Sequence, residues 1–160
     1  MTVRSFDGFV KFAEYLEMVV LAQHEMKKHA LERCAVVVEK AAKDKIGEYQ
    51  PAAGPFATWA PLADSTKAQR RSLGFPEDEP LLRTGALRDS IEHQVDARGG
   101  QAEIGSDSDI AVYQEMGTNK IPPRSFLGSA AVESIPKIKL IVGEEAMINL
   151  LGGGGATRIL

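Results

Sequence analysis

The sequence predicts an α+β fold in which a long N-terminal helix packs on a small antiparallel β-sheet, with a C-terminal helix closing the structure. Three observations predict it. Residues 16–46 contain neither proline nor glycine and are rich in strong helix formers. Residues 91–104 alternate apolar and polar side chains around a Gly-Gly pair, as a β-hairpin does. A second helical segment is expected at about residues 125–151.

The N-terminal helix carries one apolar stripe. Apolar residues recur at three- and four-residue steps, which places them on one face of a helix. They are Leu31, Cys34, Ala35, Val38, Ala42 and Ile46. The opening segment 6–20 also has an apolar face, so it is either a separate short helix or the start of the same one. That face holds Phe9, Phe12, Leu16 and Val19. Gly47 is the expected end of the helix.

Two loops containing proline and glycine are predicted to be exposed, one at 49–62 and one at 74–84. The first holds Phe56 and Trp59, and aromatic rings in a loop must be buried either in this domain or on a partner. Between the loops a short helix is expected from Asp64 to Leu73, with Asp64 as its N-cap.

The predicted hairpin turns at Gly99-Gly100. A helical turn from Asp109 to Met116 is expected next, because Gly117 can end it. Its cap is Asp107 or Ser108.

The last helix is expected to run from about Ser125 to Leu151, with a kink or break at Pro136. These elements form a single predicted domain, residues 1–151, followed by a flexible glycine-rich tail, residues 152–160.

Composition excludes several classes of protein. The chain has 160 residues, of which 44% are hydrophobic and 26% are charged, as in an ordinary globular domain. The net charge of −3 lacks the basic excess that phosphate binding usually requires. A single cysteine excludes an internal disulfide and fits a reducing cytoplasm. We expect neither a signal peptide nor a membrane-spanning segment.

No catalytic, cofactor or metal site is predicted. His24 and His29 are five residues apart, so their rings point in different directions on a helix and do not suit one metal ion. Cys34 lies on the apolar stripe and is expected to be a buried small side chain. The less favoured alternative is a small hydrolase that uses Cys34 or His93.

One local basic cluster consists of Lys67, Arg70 and Arg71. A solvated helix face is the favoured interpretation of such a cluster. Contact with DNA or with an acidic partner surface is the alternative.

Three segments, in this order and spacing, resemble the tail-completion, or virion morphogenesis, proteins of tailed bacteriophages, over roughly residues 55–130. The first contributes Trp59, Pro61, Leu62, Thr66 and Arg70. The second contributes Thr84, Gly85, Leu87, Arg88 and Ile91. The third contributes Tyr113, Gly117, Thr118, Pro123, Arg124, Phe126 and Leu127. The chain departs from the family pattern at Ser125, where proline is usual, and at Gln114-Glu115-Met116.

The resemblance implies a non-enzymatic structural protein of the virion that joins the head connector to the tail. It implies a homo-oligomeric ring, expected to be a hexamer, in the neck. The implied partners are the head-connector or stopper protein and the tail tube or tail terminator, with possible passing contact to viral DNA and none to a membrane. The implied location is the virion, after assembly in the host cytoplasm.

The motif residues are expected to be scaffold first and subunit contacts second. The loops 49–62 and 74–84 and the glycine-rich tail are the expected arms for such contacts. The alternative to a neck protein is a non-phage helical adaptor that uses the stripe of residues 20–47 as a coiled-coil seam.

Overall fold

The computed structural model describes residues 7–96 and 100–150 and confirms the α+β fold. Gly99 of the predicted turn and the predicted tail 152–160 lie outside these residues. The elements, in chain order, are α1 (Phe9–Asp44), α2 (Asp64–Ser72), α3 (Ala86–Asp89), β1 (Ile91–Val95), β2 (Ala102–Ser106), α4 (Asp109–Met116) and α5 (Leu127–Leu150). Within the described ranges, no helix is long and apolar enough to cross a membrane.

Helix α1 is one continuous element of 36 residues. At ~1.5 Å per residue it is about 54 Å long, so the opening segment is the start of the same helix. The side chain of Val19 is outside the described part. The helix ends at Asp44, and Gly47 follows with a φ of 108°. The amide of Gly47 donates to the carbonyl of Pro80 over 2.9 Å, which fixes the end of α1 to the loop 74–84.

The predicted hairpin is confirmed as a two-stranded antiparallel sheet. Its register pairs Ile91 with Ser106 at one end and Val95 with Ala102 at the other. The sheet packs on the C-terminal half of α1, where Cys34, Ala35, Val38 and Ala42 of the predicted stripe are buried. This half of the stripe is used inside the protomer, which counts against the coiled-coil adaptor.

Helix α5 runs antiparallel to α1. Just after the end of α1, Lys45 Nζ lies 2.7 Å from Oε2 of Glu133, near the start of α5. Earlier in α1, the guanidinium of Arg33 lies 2.9 Å from the carboxylates of Glu144 and Glu145, near the end of α5. The predicted break at Pro136 is wrong, because α5 continues through this residue. A proline inside a helix removes one backbone hydrogen bond and can bend the helix without ending it, and the exposed Pro136 lies on the solvent side of α5.

The core lies where α1, the hairpin, α4 and the start of α5 meet. Its buried members come from several elements and from the loop 49–62, so no single element can fold around it alone. They are Ala42, Ile46, Trp59, Leu87, Ile91, Ala111, Phe126 and Ala130. Phe126 and Ile91 are fully buried, as expected for residues that fasten α5 and β1 to the core.

The loops 49–62 and 74–84 expose many of their residues, but each is fastened to the domain, because Trp59 is only 3% exposed and Pro80 is fully buried. The aromatic ring of Trp59 is buried in its own protomer, which removes its apolar surface from water. Asp64 is the first residue of α2 rather than its N-cap, a position held by Ala63. The carboxylate of Asp64 still favours the positive end of the helix dipole.

Candidate interaction surface and its scaffold

The structure divides the seventeen predicted motif residues by exposure. The buried ones are Trp59, Gly85, Leu87, Ile91, Arg124 and Phe126. The half-buried ones are Leu62, Thr66, Arg70, Gly117 and Leu127. The exposed ones are Pro61, Thr84, Arg88, Tyr113, Thr118 and Pro123. Most of the motif therefore builds the scaffold, and a minority faces outward.

Arg124 fastens the loop 49–62 to the start of α5. Its guanidinium donates to the carbonyl of Ala60 from Nη2 over 2.9 Å and from Nε over 3.2 Å, and to that of Pro61 over 3.3 Å. The side chain is almost fully buried, and burial lowers the pKa of the guanidinium. Trp59 adds a bond from Nε1 to the carbonyl of Ser125 over 3.2 Å. The loop is thus held on both sides of position 60.

Arg70 of α2 holds the loop 74–84 in place through hydrogen bonds to its backbone carbonyls. Its Nη1 donates to the carbonyls of Pro76, Glu79 and Leu82 over 3.3, 2.6 and 2.9 Å. A planar guanidinium with several donors suits such a cluster of carbonyls. Arg70 therefore acts on its own chain and is not available for phosphate.

The other two members of the basic cluster are paired as well. Lys67 Nζ lies 2.9 Å from Asp78 Oδ2, and Arg71 makes a bidentate pair with Glu77. The hydrogen bond to Asp78 raises the pKa of Lys67, and that to Glu77 raises the pKa of Arg71. The alternative of a DNA-contacting basic patch is therefore not supported, because each cation already has a partner in the loop 74–84.

Glu115 is a functional part of the scaffold that the sequence analysis did not single out. Its carboxylate accepts the backbone N–H groups of Phe126, Leu127 and Gly128 over 2.8, 3.0 and 2.9 Å. It also accepts the hydroxyl of Ser125 over 2.6 Å. These are the unpaired donors at the N-terminus of α5, where negative charge is favoured. The one hint of this role in the sequence was that residues 114–116 and 125 differ from the usual pattern of the phage family that the chain resembles.

Gly117 allows the chain to reverse between α4 and α5. Its φ is 75°, and a Cβ there would lie 2.9 Å from the carbonyl oxygen of Ile121 and from the nitrogen of Pro123. Only glycine fits without strain at such a φ and such a close approach. The amide of Thr118 then donates to the carbonyl of Ile121 over 2.8 Å, which closes the turn. Gly85, with a φ of 89°, takes the left-handed conformation just before α3.

Helix α4 presents the exposed part of this region. Ala111 packs into the core, but four of the eight side chains of α4 are large, apolar and more than half exposed. They are Ile110, Val112, Tyr113 and Met116. We call these four residues the α4 patch. Grouped apolar side chains at a surface are typical of sites that contact another macromolecule.

The side chains considered for catalysis are not arranged for it. Cys34 is buried as predicted, and burial raises the pKa of its thiol, whereas a nucleophilic cysteine needs a lowered one. His93 is held by Glu32 over 2.9 Å and by Glu39. His29 bonds to Glu145 over 3.0 Å. No group of side chains in residues 7–96 and 100–150 is arranged to bind a metal ion.

The fold and these motif residues define a small α+β protein whose polar side chains stabilise its own loops and whose helix α4 exposes a patch of apolar side chains. A family model described as "Bacteriophage HK97-gp10, putative tail-component" matches residues 10–117, two-thirds of the chain. The protein belongs to this family of phage tail components, and its class is structural. No curated protein and no solved structure matches the chain significantly.

The matched residues include α1, both loops, the hairpin and α4. They end at Gly117, so the segment with Arg124 and Phe126 lies beyond the match. In the structure that segment is nevertheless joined to the matched part by Arg124 and Glu115.

Proposed function

We propose that the protein is a neck subunit that forms a ring between the head connector and the tail of a tailed bacteriophage. The observation that carries the proposal is membership of a phage tail-component family over residues 10–117, a range that includes the exposed α4 patch. The ring is expected to be a hexamer, and its partners are the head-connector or stopper protein on one side and the tail tube or tail terminator on the other.

The internal use of polar groups supports a structural role. The side chains of Arg70, Arg124 and Glu115 each make three or more hydrogen bonds within their own chain. These bonds hold the loops and the start of α5 in one conformation before any partner arrives. A pre-organised surface loses less conformational entropy on assembly, which favours a defined joint between head and tail.

The charge distribution supports only passing contact with DNA. The net charge is −3, and Lys67 and Arg71 are paired with carboxylates. A passage through which DNA must move gains nothing from strong phosphate binding, whose affinity rises with each neutralised phosphate. The protein would then act in the virion, after assembly in the host cytoplasm.

The α4 patch is the proposed contact with the neighbouring neck or tail component. Its apolar side chains favour burial by about 25 cal/mol per Å2 of apolar surface. The patch lies directly beside the Glu115 anchor, so it is held rigidly on the scaffold.

A joining assay tests the function. Heads and tails are prepared separately from particles that lack this protein, and infectious particles are counted after the protein is added. We expect joining to depend on the protein and to fall sharply with Val112→Lys, which puts a charge in the α4 patch. The matched control is Val36→Lys on α1, a valine of similar exposure outside the patch. Equal joining with and without the protein would contradict the proposal.

A further inference from the structure

The first turns of α1 extend beyond the helix that covers the rest of it. His29 of α1 lies level with Glu145 of α5, at 3.0 Å, and α5 is described to Leu150. The two helices are antiparallel, so the end of α5 lies level with about residue 24 of α1. Residues 9–23, which we call the α1 arm, therefore project about 20 Å past it.

The α1 arm exposes the face that the rest of α1 buries. Leu16 and Cys34 are eighteen residues apart, as are Val20 and Val38, and eighteen residues make five turns of ~3.6 residues. Cys34 and Val38 are 9% and 7% exposed, whereas Leu16 and Val20 are 45% and 64% exposed. Phe9, seven residues before Leu16, is 82% exposed. The stripe therefore continues onto the arm, where Phe9, Leu16 and Val20 are exposed.

Helix α5 has a second apolar surface, beside the face that packs on α1. Ile141 and Glu145 face α1, while Leu140 and Met147 are 67% and 55% exposed. Gly143 lies between them, and a Cβ there would meet nothing within 4 Å. The missing side chain leaves a shallow apolar groove. It is lined by Lys139, Leu140, Gly143, Glu144, Met147 and Ile148.

An unpaired charge lies beside each surface, and the two charges are opposite. Glu17 flanks the exposed stripe three residues from Val20, and Lys139 borders the groove. Glu144 also lines the groove, but its charge is paired with Arg33 of α1. Neither Glu17 nor Lys139 forms an ion pair with another residue of the described ranges. Opposite charge beside each apolar surface favours their association in one orientation.

We propose that the α1 arm of one copy packs in the α5 groove of the next copy. Within one protomer they do not meet, because the arm projects past the described end of α5, whereas the groove lies along residues 139–148 of α5. Two different surfaces that meet between copies form a heterologous contact, which closes into a ring when the rotation between copies permits. This contact rests on the proposed ring and identifies the surfaces that build it.

Thiol cross-linking of the full chain tests the contact. In a Cys34→Ala background, a Leu16→Cys protein is mixed with a Leu140→Cys protein and treated with a short bis-maleimide. We expect a product of twice 17.3 kDa from the mixture and none from either protein alone. The matched control is Met18→Cys, which is exposed but about 200° around the helix from Leu16 and should lose the product.

A charge exchange makes the test independent of the cysteines. Glu17→Lys should reduce the yield of the cross-linked product, and Lys139→Glu on the partner protein should restore it. Far-ultraviolet circular dichroism checks that each variant folds. A product from Leu16→Cys alone would mean that two arms pair symmetrically, and would overturn the proposal.

The experiment is done both in concentrated solution and on joined head–tail particles. Absence of the mixed product in both settings would overturn the arm–groove contact. The same result is expected if a tail component or residues 151–160 cover the arm instead of a second copy. If heads and tails still join only when this protein is present, the proposed neck function stands even though the arm–groove contact fails. If heads and tails join equally well without the protein, the proposed neck function itself fails.

Discussion

At the scale of single residues, the structure depends on a few close contacts around the start of α5. Phe126 is fully buried, Glu115 binds the first amides of the helix, and Gly128 lies against Phe56. The sequence analysis singled out Phe126 only through the family resemblance, as a residue expected to be scaffold first. It could not find the role of Glu115, because the carboxylate and its amide partners are joined only by the turn at Gly117.

The first prediction compares one substitution at two positions of α5. A Cβ at Gly128 would lie 2.4 Å from Phe56 Cζ, whereas at Gly143 nothing lies within 4 Å. We expect Gly128→Ala to lower the free energy of unfolding by roughly 1–3 kcal/mol through overpacking. Gly143→Ala should raise it by about 1 kcal/mol, because alanine favours a helix over glycine. Urea denaturation measures both, and equal effects would contradict the close approach.

The second prediction concerns the helix anchor. Glu115→Gln keeps the shape of the side chain but removes the charge that faces the N-terminus of α5. We expect a loss of about 1–2 kcal/mol in the free energy of unfolding. Glu92→Gln, on the exposed side of β1, is the control and should change stability little. An unchanged urea midpoint for Glu115→Gln would refute this role.

At the scale of elements, the fold was largely predictable and the loops were not. The stripe of α1 and the alternation of β1 and β2 are local periodic signals, so both elements follow from sequence. The loops 49–62 and 74–84 are fixed by Arg124 and Arg70, which bind backbone carbonyls from a distance in the chain. Carbonyls carry no sequence signal, so the sequence could not show how these loops are fastened to the domain.

The third prediction concerns His93, which joins β1 to α1. Glu32, and then Glu39, raise the pKa of His93 through hydrogen bonds, while His93 and then Lys43 lower the pKa of Glu39. The folded chain thus binds the His93 proton more tightly than the unfolded chain. Its stabilisation is complete below the ordinary value of 6.5 and is lost as pH rises through the raised pKa. The stabilisation from the Glu39 carboxylate is fully present above pH 4.5, the ordinary value of its pKa, and is lost as pH falls through the lowered pKa.

Stability from this cluster is therefore greatest between pH 4.5 and 6.5. We expect His93→Gln to cost about 1–2 kcal/mol in that range and less at about pH 8. His24→Gln is the control, because His24 makes no hydrogen bond or ion pair with a residue of the described ranges. Thermal unfolding across pH measures both variants. A cost for His93→Gln that does not change with pH would show that the imidazole charge has no part in the contact.

At the scale of the whole molecule, the family resemblance and the family model agree on a phage tail component. The model matches residues 10–117, and the structure adds that the remaining core segment is bound to it through Glu115 and Arg124. The sequence motif alone did not show which of its residues are buried in the scaffold and which lie on the surface. That distinction depends on burial, which leaves Tyr113 on the α4 patch outside and Trp59 inside.

Oligomeric assembly is a further prediction at this scale. A monomer has a mass of 17.3 kDa, and light scattering after size exclusion measures the mass in solution at several concentrations. We expect a concentration-dependent increase toward a ring, weakened by Leu16→Glu in the α1 arm. The apolar stripe of the arm would then be interrupted by a buried charge, which costs free energy on association. Equal masses for the two proteins at every concentration would argue against a role of the arm in the solution assembly.

The most direct test of the neck function is a cryo-electron microscopy reconstruction of the phage particle at the junction of head and tail. We predict a ring of copies of this α+β fold between connector and tail, with the α4 patch against a neighbouring component. A particle in which this protein lies elsewhere, or from which it is absent, would contradict the account.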